Sequence, residues 1–215
     1  MDIFIDFEVF SHLDIRKTSA WRYWTHESTE VLCMAWAIND LPVKLWVPGD
    51  PTPNWFADIE TATLHAHNAA FERIGWGSNC VPRLGWPEVR LEQWECTAAR
   101  AAAVALPRSL AGAAKALNLK QQKDDAGRLA MLQVVKLDKK GKRNTNAKAI
   151  ELMREYCKND VEVERAIHKA TPPLWEPEKE VYHLDQRIND RGIPIDIESV
   201  NAAIEILEQF SIQQE

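Results

Sequence analysis

The first ten residues, MDIFIDFEVF, constrain this chain more than any other stretch. Ile3, Phe4, Ile5, Phe7, Val9 and Phe10 form a β-branched and aromatic run without Gly or Pro. That is the pattern of a strand buried on both faces. Side chains alternate along a strand, so Asp6 and Glu8 project to the same side, two residues apart. Two carboxylates on one face of an interior strand are costly, because each buried charge loses several kcal/mol unless it is paired or bound to metal. An ordinary core strand avoids this pattern. A divalent-metal site requires it.

The remaining composition narrows the class. A chain of 215 residues can bury one sizeable core, or one domain and an appendage. With 46% hydrophobic and 27% charged residues it reads as globular and not as a disordered segment. A net charge of −6 lacks the basic excess usual for nucleic-acid binders. A carboxylate site that is neutralised by bound cations would itself account for part of that charge. Cys33, Cys80, Cys96 and Cys157 show no CxxC pair and no zinc spacing, and are read as reduced, buried thiols. No secretory leader precedes the first strand, and no apolar run approaches the ~20 residues of a membrane span. The expectation is a cytoplasmic protein with no membrane partner.

Along the chain, Val31–Ile38 and Val43–Val47 read as strands joined by a turn through Asn39-Asp40-Leu41-Pro42, giving an antiparallel meander with the first strand. Trp21, Tyr23 and Trp24 lie in a long connection and are expected to pack against the sheet. Trp55–Ile59 reads as a short helix, Leu64–His67 as a strand running into helix at Asn68–Arg73, and Glu92–Thr97 as a further strand. Helices follow over Ala98–Ala105 and from the Ser109 cap to Leu117. Lys136–Lys148 is a basic, polar segment, expected to be a solvated loop or a contact for the phosphate backbone.

Ala147–Lys169 carries the clearest helical periodicity, with Leu152, Met153, Tyr156, Cys157, Val161, Val163 and Ile167 largely on one broad side. Asp160 falls on that apolar side, one turn beyond Tyr156. Pro172-Pro173 ends the helix. Beyond it, Glu176–Arg191 and Ile197–Phe210 read as helices, the first closed by Gly192 and the second capped by Asp196.

Asp6 and Glu8 on the first strand, Asn68-x-x-Phe71-Glu72 at a strand-to-helix junction, and Tyr156-x-x-x-Asp160 on the long helix thus place acids where core residues belong. Such oxygen-only ligands suit Mg²⁺ or Mn²⁺ better than zinc or copper. Each motif alone is common; the three in this order and in these elements are specific together.

Their arrangement resembles the three exonuclease motifs of the DEDD superfamily. Tyr156 is similar to the tyrosine of its DEDDy subgroup, and Glu155 stands where the sister group has histidine. The words Ala66-His67-Asn68-Ala69-Ala70-Phe71-Glu72, Leu106-Pro107-Arg108-Ser109-Leu110 and Tyr156-Cys157-Lys158-Asn159-Asp160-Val161-Glu162 resemble most closely the proofreading 3′→5′ exonuclease domain of phage-type family A DNA polymerases. Asp185–Asp196 resembles the start of the polymerase region of the same proteins. The resemblance implies an α/β, ribonuclease H-like mixed sheet of about five strands flanked by helices. It also implies a division into an exonuclease domain over residues 1–172 and a helical extension over 173–215.

The resemblance further implies two Mg²⁺ or Mn²⁺ ions, roughly 3.5–4 Å apart, held by Asp6, Glu8, Glu72 and Asp160, with Tyr156 orienting the attacking water. The catalytic set is then Asp6, Glu8, Glu72, Tyr156 and Asp160. Asn68, Phe71 and His67 are the expected substrate contacts at a single-stranded DNA 3′ end, although a histidine beside a strand is more often a structural residue. A polymerase domain, in cis or in trans, is the expected partner. Most of the superfamily has aspartate where this chain has Glu72; the extra methylene keeps the charge and changes its reach.

Two other functions fit the same motifs. A free-standing DEDDy nuclease acting on RNA would share the catalytic residues, and the polymerase-like tail speaks against it. A weakened single-strand or partner-binding module would use some of the nine tryptophans as stacking platforms, although most are more simply read as packing, and it would have little physical reason to keep the buried acids.

Overall fold

The computed structural model describes residues 1–120, 125–135, 137 and 141–212. Strands β1 (Asp2–Phe10), β2 (Glu30–Ile38), β3 (Lys44–Trp46), β4 (Thr63–Ala66) and β5 (Trp94–Cys96) form one sheet in the order β3-β2-β1-β4-β5. β1 pairs antiparallel with β2, and β2 antiparallel with β3. On the other side β1 pairs parallel with β4, and β4 parallel with β5. The strand that carries Asp6 and Glu8 is therefore the central one, as its apolar sequence requires. Helices α1 (Ala20–Thr25), α2 (Ala70–Gly75), α3 (Val81–Leu84), α4 (Thr97–Ala103), α5 (Leu110–Ala116), α6 (Asp125–Val134) and α7 (Ala147–Ala170) complete the first unit. The whole is a ribonuclease H-like α/β fold with a helical C-terminal region.

The two faces of the sheet are built from different residues. On one, Phe4, Cys33, Ala35 and Ala37 meet Val134 of α6 and Ala149, Met153, Cys157 and Val161 of α7. Asp6 lies opposite Ala35 and Glu8 opposite Cys33 across the antiparallel ladder. Small cross-strand neighbours let α7 approach the strand and leave room beside the acids. On the other face Phe7 packs on Trp24 (5.9 Å between ring centroids) and Trp86 (6.1 Å), and Trp76 packs on Trp86 at 4.8 Å. Trp24, Trp36, Trp46, Trp55, Trp76, Trp86 and Trp94 are all buried, so most of the chain's indoles are core and not platforms for bases. Trp21 and Trp175 are exposed.

α7 starts where Asn146 Oδ1 accepts the Ala149 amide at 3.2 Å. It runs on without Gly or Pro, and Arg100 closes it by donating to the carbonyls of His168 (2.8 Å), Pro172 (3.0 Å) and Thr171. Two positions differ from the periodicity. Leu152 is 40% exposed. Arg165 is buried, because it donates to the Asn39 and Leu41 carbonyls at 3.1 and 2.6 Å in the β2–β3 turn. Helix α6 has no counterpart among the sequence expectations. Of the basic segment, residues 136 and 138–140 lie outside the described residues; Leu137 bridges Arg143, which pairs with Glu30 and stacks 4.5 Å over Phe10.

The chain divides into Met1–Glu176 and Pro177–Glu215. In the second unit α8 (Glu176–Arg191) stops at Gly192, whose φ of +66° suits a glycine. α9 (Ile197–Ile212) follows, with the Asp196 carboxylate accepting both the Ser199 amide and hydroxyl. Among the described residues no helix is long and apolar enough to cross a membrane.

Candidate active site

The strands that lead into the site, β1 and β4, run parallel, and their carboxyl ends open toward α2 and α7. In open α/β sheets this is where ligand crevices form. Asp6 and Glu8 come from β1, and a register shift between Glu8 and Val9 interrupts the ladder with β2, which resumes at Val9–Val31 and Phe10–Glu30. Asn68 follows β4 in a left-handed conformation (φ +72°) that Asn tolerates, and its carbonyl accepts the Phe71 amide at 3.0 Å. That sharp turn launches α2 and brings Glu72 inward, 5% exposed. Gly75 fixes where α2 lies: a Cβ there would sit 2.2 Å from Cε2 of Trp24. Phe71 packs against the same indole at 5.1 Å between centroids.

From the other side α7 supplies Tyr156 and Asp160, both buried. Cys157 donates its thiol to the Asp6 carbonyl at 3.4 Å, which ties this turn of helix to the strand. The Tyr156 hydroxyl donates to Asp160. Burial first, then the charges of Asp160, Glu8 and Asp6, hold its pKa above the ordinary tyrosine value. Tyr156 is therefore a neutral donor with spare acceptor capacity for a water. Glu72 is pushed well above the carboxylate range, by burial and then by the charge of Asp6. On the far side of Glu8, the Tyr23 hydroxyl donates to Val9 O at 3.3 Å and its pKa is raised to about 12 by burial, then by Glu8 and Asp14.

The five expected catalytic residues thus share one electrostatic neighbourhood although they come from three separate elements. The three expected substrate contacts differ among themselves. Asn68 is exposed at the rim and Phe71 is half-buried. His67 has both ring nitrogens within hydrogen-bond distance of the chain's own atoms, Nε2 at 2.8 Å from the Arg108 carbonyl and Nδ1 at 3.0 Å from Thr97 Oγ1. A carbonyl only accepts, so Nε2 carries a proton.

The donor set fits a hard divalent cation. It consists of oxygens, and Glu72 Oε2 is buried with no hydrogen-bond partner. One buried acid was not singled out by the sequence reading. Glu164, 1% exposed, lies one turn after Asp160. Tyr156, Asp160, Glu164 and His168 follow one another at four-residue steps along α7. Extending the Tyr156–Asp160 step by two more turns would have found the last two.

A second cluster lies toward the amino end of β1. His65, Glu95 and His168 offer ligand atoms all within 4.8 Å of one another and could hold a metal ion. Tetrahedral donors with ~2.0 Å bonds lie only about 3.3 Å apart, so the group is loose for that purpose. The Arg100 guanidinium already stands there, with Nη1 2.6 Å from His168 Nδ1 and 3.7 Å from Glu95. A resident cation on the chain itself competes with any metal at this end.

No family model matches the chain. In sequence it is 37% identical over 224 residues to a protein named DNA polymerase from Bacillus phage SP02. The match takes in 96% of this chain and 34% of that protein, so the chain spans about one third of the relative's length. It is related to part of a phage polymerase.

Proposed function

We propose that the chain is a metal-dependent 3′→5′ exonuclease that removes nucleotides from the 3′ end of DNA, proofreading for a family A polymerase region in cis or in trans. The observation that carries this reading is the convergence of Asp6, Glu8, Glu72, Tyr156 and Asp160 at the carboxyl ends of β1 and β4, with a buried Glu72 oxygen lacking any hydrogen bond. The relationship to a phage DNA polymerase supports the choice of DNA over RNA. For a phage enzyme, the place of action is the host cytoplasm.

Asp6, Glu8, Glu72 and Asp160 would hold Mg²⁺ or Mn²⁺. Bound there, the ions supply Lewis acidity, which makes a water nucleophilic near neutral pH and offsets charge on the phosphate. The chain's own work is positional. β1 is paired with β2 through Asp6 and Glu8, and Cys157 of α7 donates to the Asp6 carbonyl, so the two carboxylates are positioned before substrate arrives. Tyr156 stays protonated and can accept a hydrogen bond from a water while donating to Asp160. Asn68, exposed at the rim, and the half-buried Phe71 would meet the terminal nucleotide.

The test uses single-stranded DNA labelled at either end, with Mg²⁺, Mn²⁺ or EDTA, for the wild type and Asp6→Ala, beside RNA of the same sequence. Mononucleotides released from the 3′ end only with metal, faster from DNA, and lost in Asp6→Ala are the expected result. Faster release from RNA would move the assignment to an RNA nuclease, whose pocket must accept the 2′-hydroxyl. Binding without degradation in either metal would overturn the enzymatic reading.

A further inference from the structure

We propose that Glu164 is a fifth carboxylate of the divalent-cation site, joining Glu72 from one turn beyond Asp160 on α7. The proposal rests on reading Asp6, Glu8, Glu72 and Asp160 as metal ligands and extends that set by one residue.

Three observations carry it. Glu164 is 1% exposed, and its Oε1 is buried with no hydrogen-bond partner. Buried polar oxygens are nearly always satisfied, and an orphan calls for a ligand or a water. Second, Glu72 presents the same feature, a buried Oε2 without a partner. Third, Glu164 continues the helical line of Tyr156 and Asp160 by one turn, so it faces the same side of α7. Among the described residues, the groups that act on it are Asp6, Glu72, Cys96 and Asp160, none of them a cation; with burial as the largest cause, they hold its carboxyl well above the ordinary range.

A merely structural role fits these facts poorly. A glutamate kept for packing would be replaced at lower cost by a neutral residue of the same shape, since a buried acid among acids destabilises the metal-free fold. What a cation site gains from Glu164 is charge. It also gains a ligand or water-holding oxygen beneath Glu72, at the one position where this chain departs from the usual aspartate of the proteins it resembles.

The experiment titrates Mn²⁺ into the full chain, followed by the paramagnetic resonance of free Mn²⁺ and by calorimetry, with thermal melts in EDTA run in parallel. Wild type, Glu164→Gln, Glu164→Asp, Glu72→Gln and Asp6→Ala are compared. The expected result for Glu164→Gln is at least a tenfold loss of Mn²⁺ affinity, with a melting temperature in EDTA equal to or above wild type. Glu164→Asp, which keeps the charge on a shorter arm, should fall between the two, and carries the same prediction if Glu164→Gln does not fold. Wild-type affinity in Glu164→Gln overturns the proposal. If Asp6→Ala lowers affinity while Glu164→Gln does not, only Glu164's role falls. If Asp6→Ala also binds as wild type does, the metal-site reading falls with it.

Discussion

The layer between β1 and α7 has two ends, and they handle buried charge in opposite ways. Toward the amino end of β1, His65, Glu95 and His168 surround Arg100, which also donates to three carbonyls at the close of α7. That end carries its own cation and its hydrogen bonds are largely internal. His65 Nε2 reaches Asp2 at 3.1 Å, and its ring stacks on Phe4 at 4.7 Å. Toward the carboxyl end, Glu8, Glu72, Asp160 and Glu164 are buried together, and the charges acting on Glu72 and Glu164 are negative. Buried charge on its own says little about function, since both ends have it. What differs is what faces it: the Arg100 guanidinium at one end, and at Glu72 and Glu164 other acids, Asp6 among them. The first arrangement is a structural anchor; the second leaves one buried oxygen each of Glu72 and Glu164 without a hydrogen bond, as the proposed cation site requires.

The largest effect separates the ends by activity. Asp6→Asn should lower nuclease turnover about a thousandfold or more, some 4 kcal/mol in the barrier, without lowering the melting temperature in EDTA. A matching loss of stability would mean that Asp6 is structural after all. The mirror-image variant is Arg100→Met. It removes the guanidinium beside Glu95 and the donor to three carbonyls, and should cost about 3–5 kcal/mol by urea denaturation, while the rate per folded molecule changes little. If activity fell first, the amino end would be part of the site.

Gly75→Ala probes the scaffold of the acid end alone. The added Cβ collides with the Trp24 ring, so a loss of about 1–3 kcal/mol is expected, together with weaker Mn²⁺ binding because α2 carries Glu72. A stability loss with unchanged metal affinity would detach α2 from the site.

The smallest effect is the pH dependence in EDTA, where the two ends pull in opposite directions. The raised carboxyls of Glu72 and Glu164 bind protons in the folded state that the unfolded chain, near 4.5, has already released. Their contribution is complete below pH 4.5 and is lost as pH rises through the folded values. His168 is lowered from 6.5 to about 4, by burial first and then by His65 and Arg100. Its contribution is present above pH 6.5 and is lost as pH falls toward 4. Urea midpoints measured across pH should therefore lose their high-pH decline in Glu72→Gln and their low-pH decline in His168→Phe. Profiles that do not move in those variants would show that other groups set the pH response.

Much of the acid end was legible in the sequence because local rules suffice there. Alternation puts Asp6 beside Glu8, and a four-residue step puts Tyr156 beside Asp160. The same step, carried on, reaches Glu164 and His168, but an acid or a histidine on a helix reads as a surface residue until the helix is seen to be covered. Arg165 shows the same limit: its charge suggests solvent, and the carbonyls of a turn far away in sequence bury it. The amino end was nearly invisible. Arg100, Glu95, His65 and His168 come from four elements, and no spacing relates them.

The sequence by itself determined the central strand, the antiparallel meander, the long helix and the placement of Asp6, Glu8 and Asp160, since each follows from periodicity within a single element; Glu72 was reached only through the resemblance. Only the tertiary structure decided that Glu72 is buried beside Asp6 and that Glu164 is buried one turn beyond Asp160. The physical reason is that burial and electrostatic coupling belong to pairs of elements. They are set by the strand order that brings β1 and β4 together under α7, and by the close approach of Trp24 to Gly75.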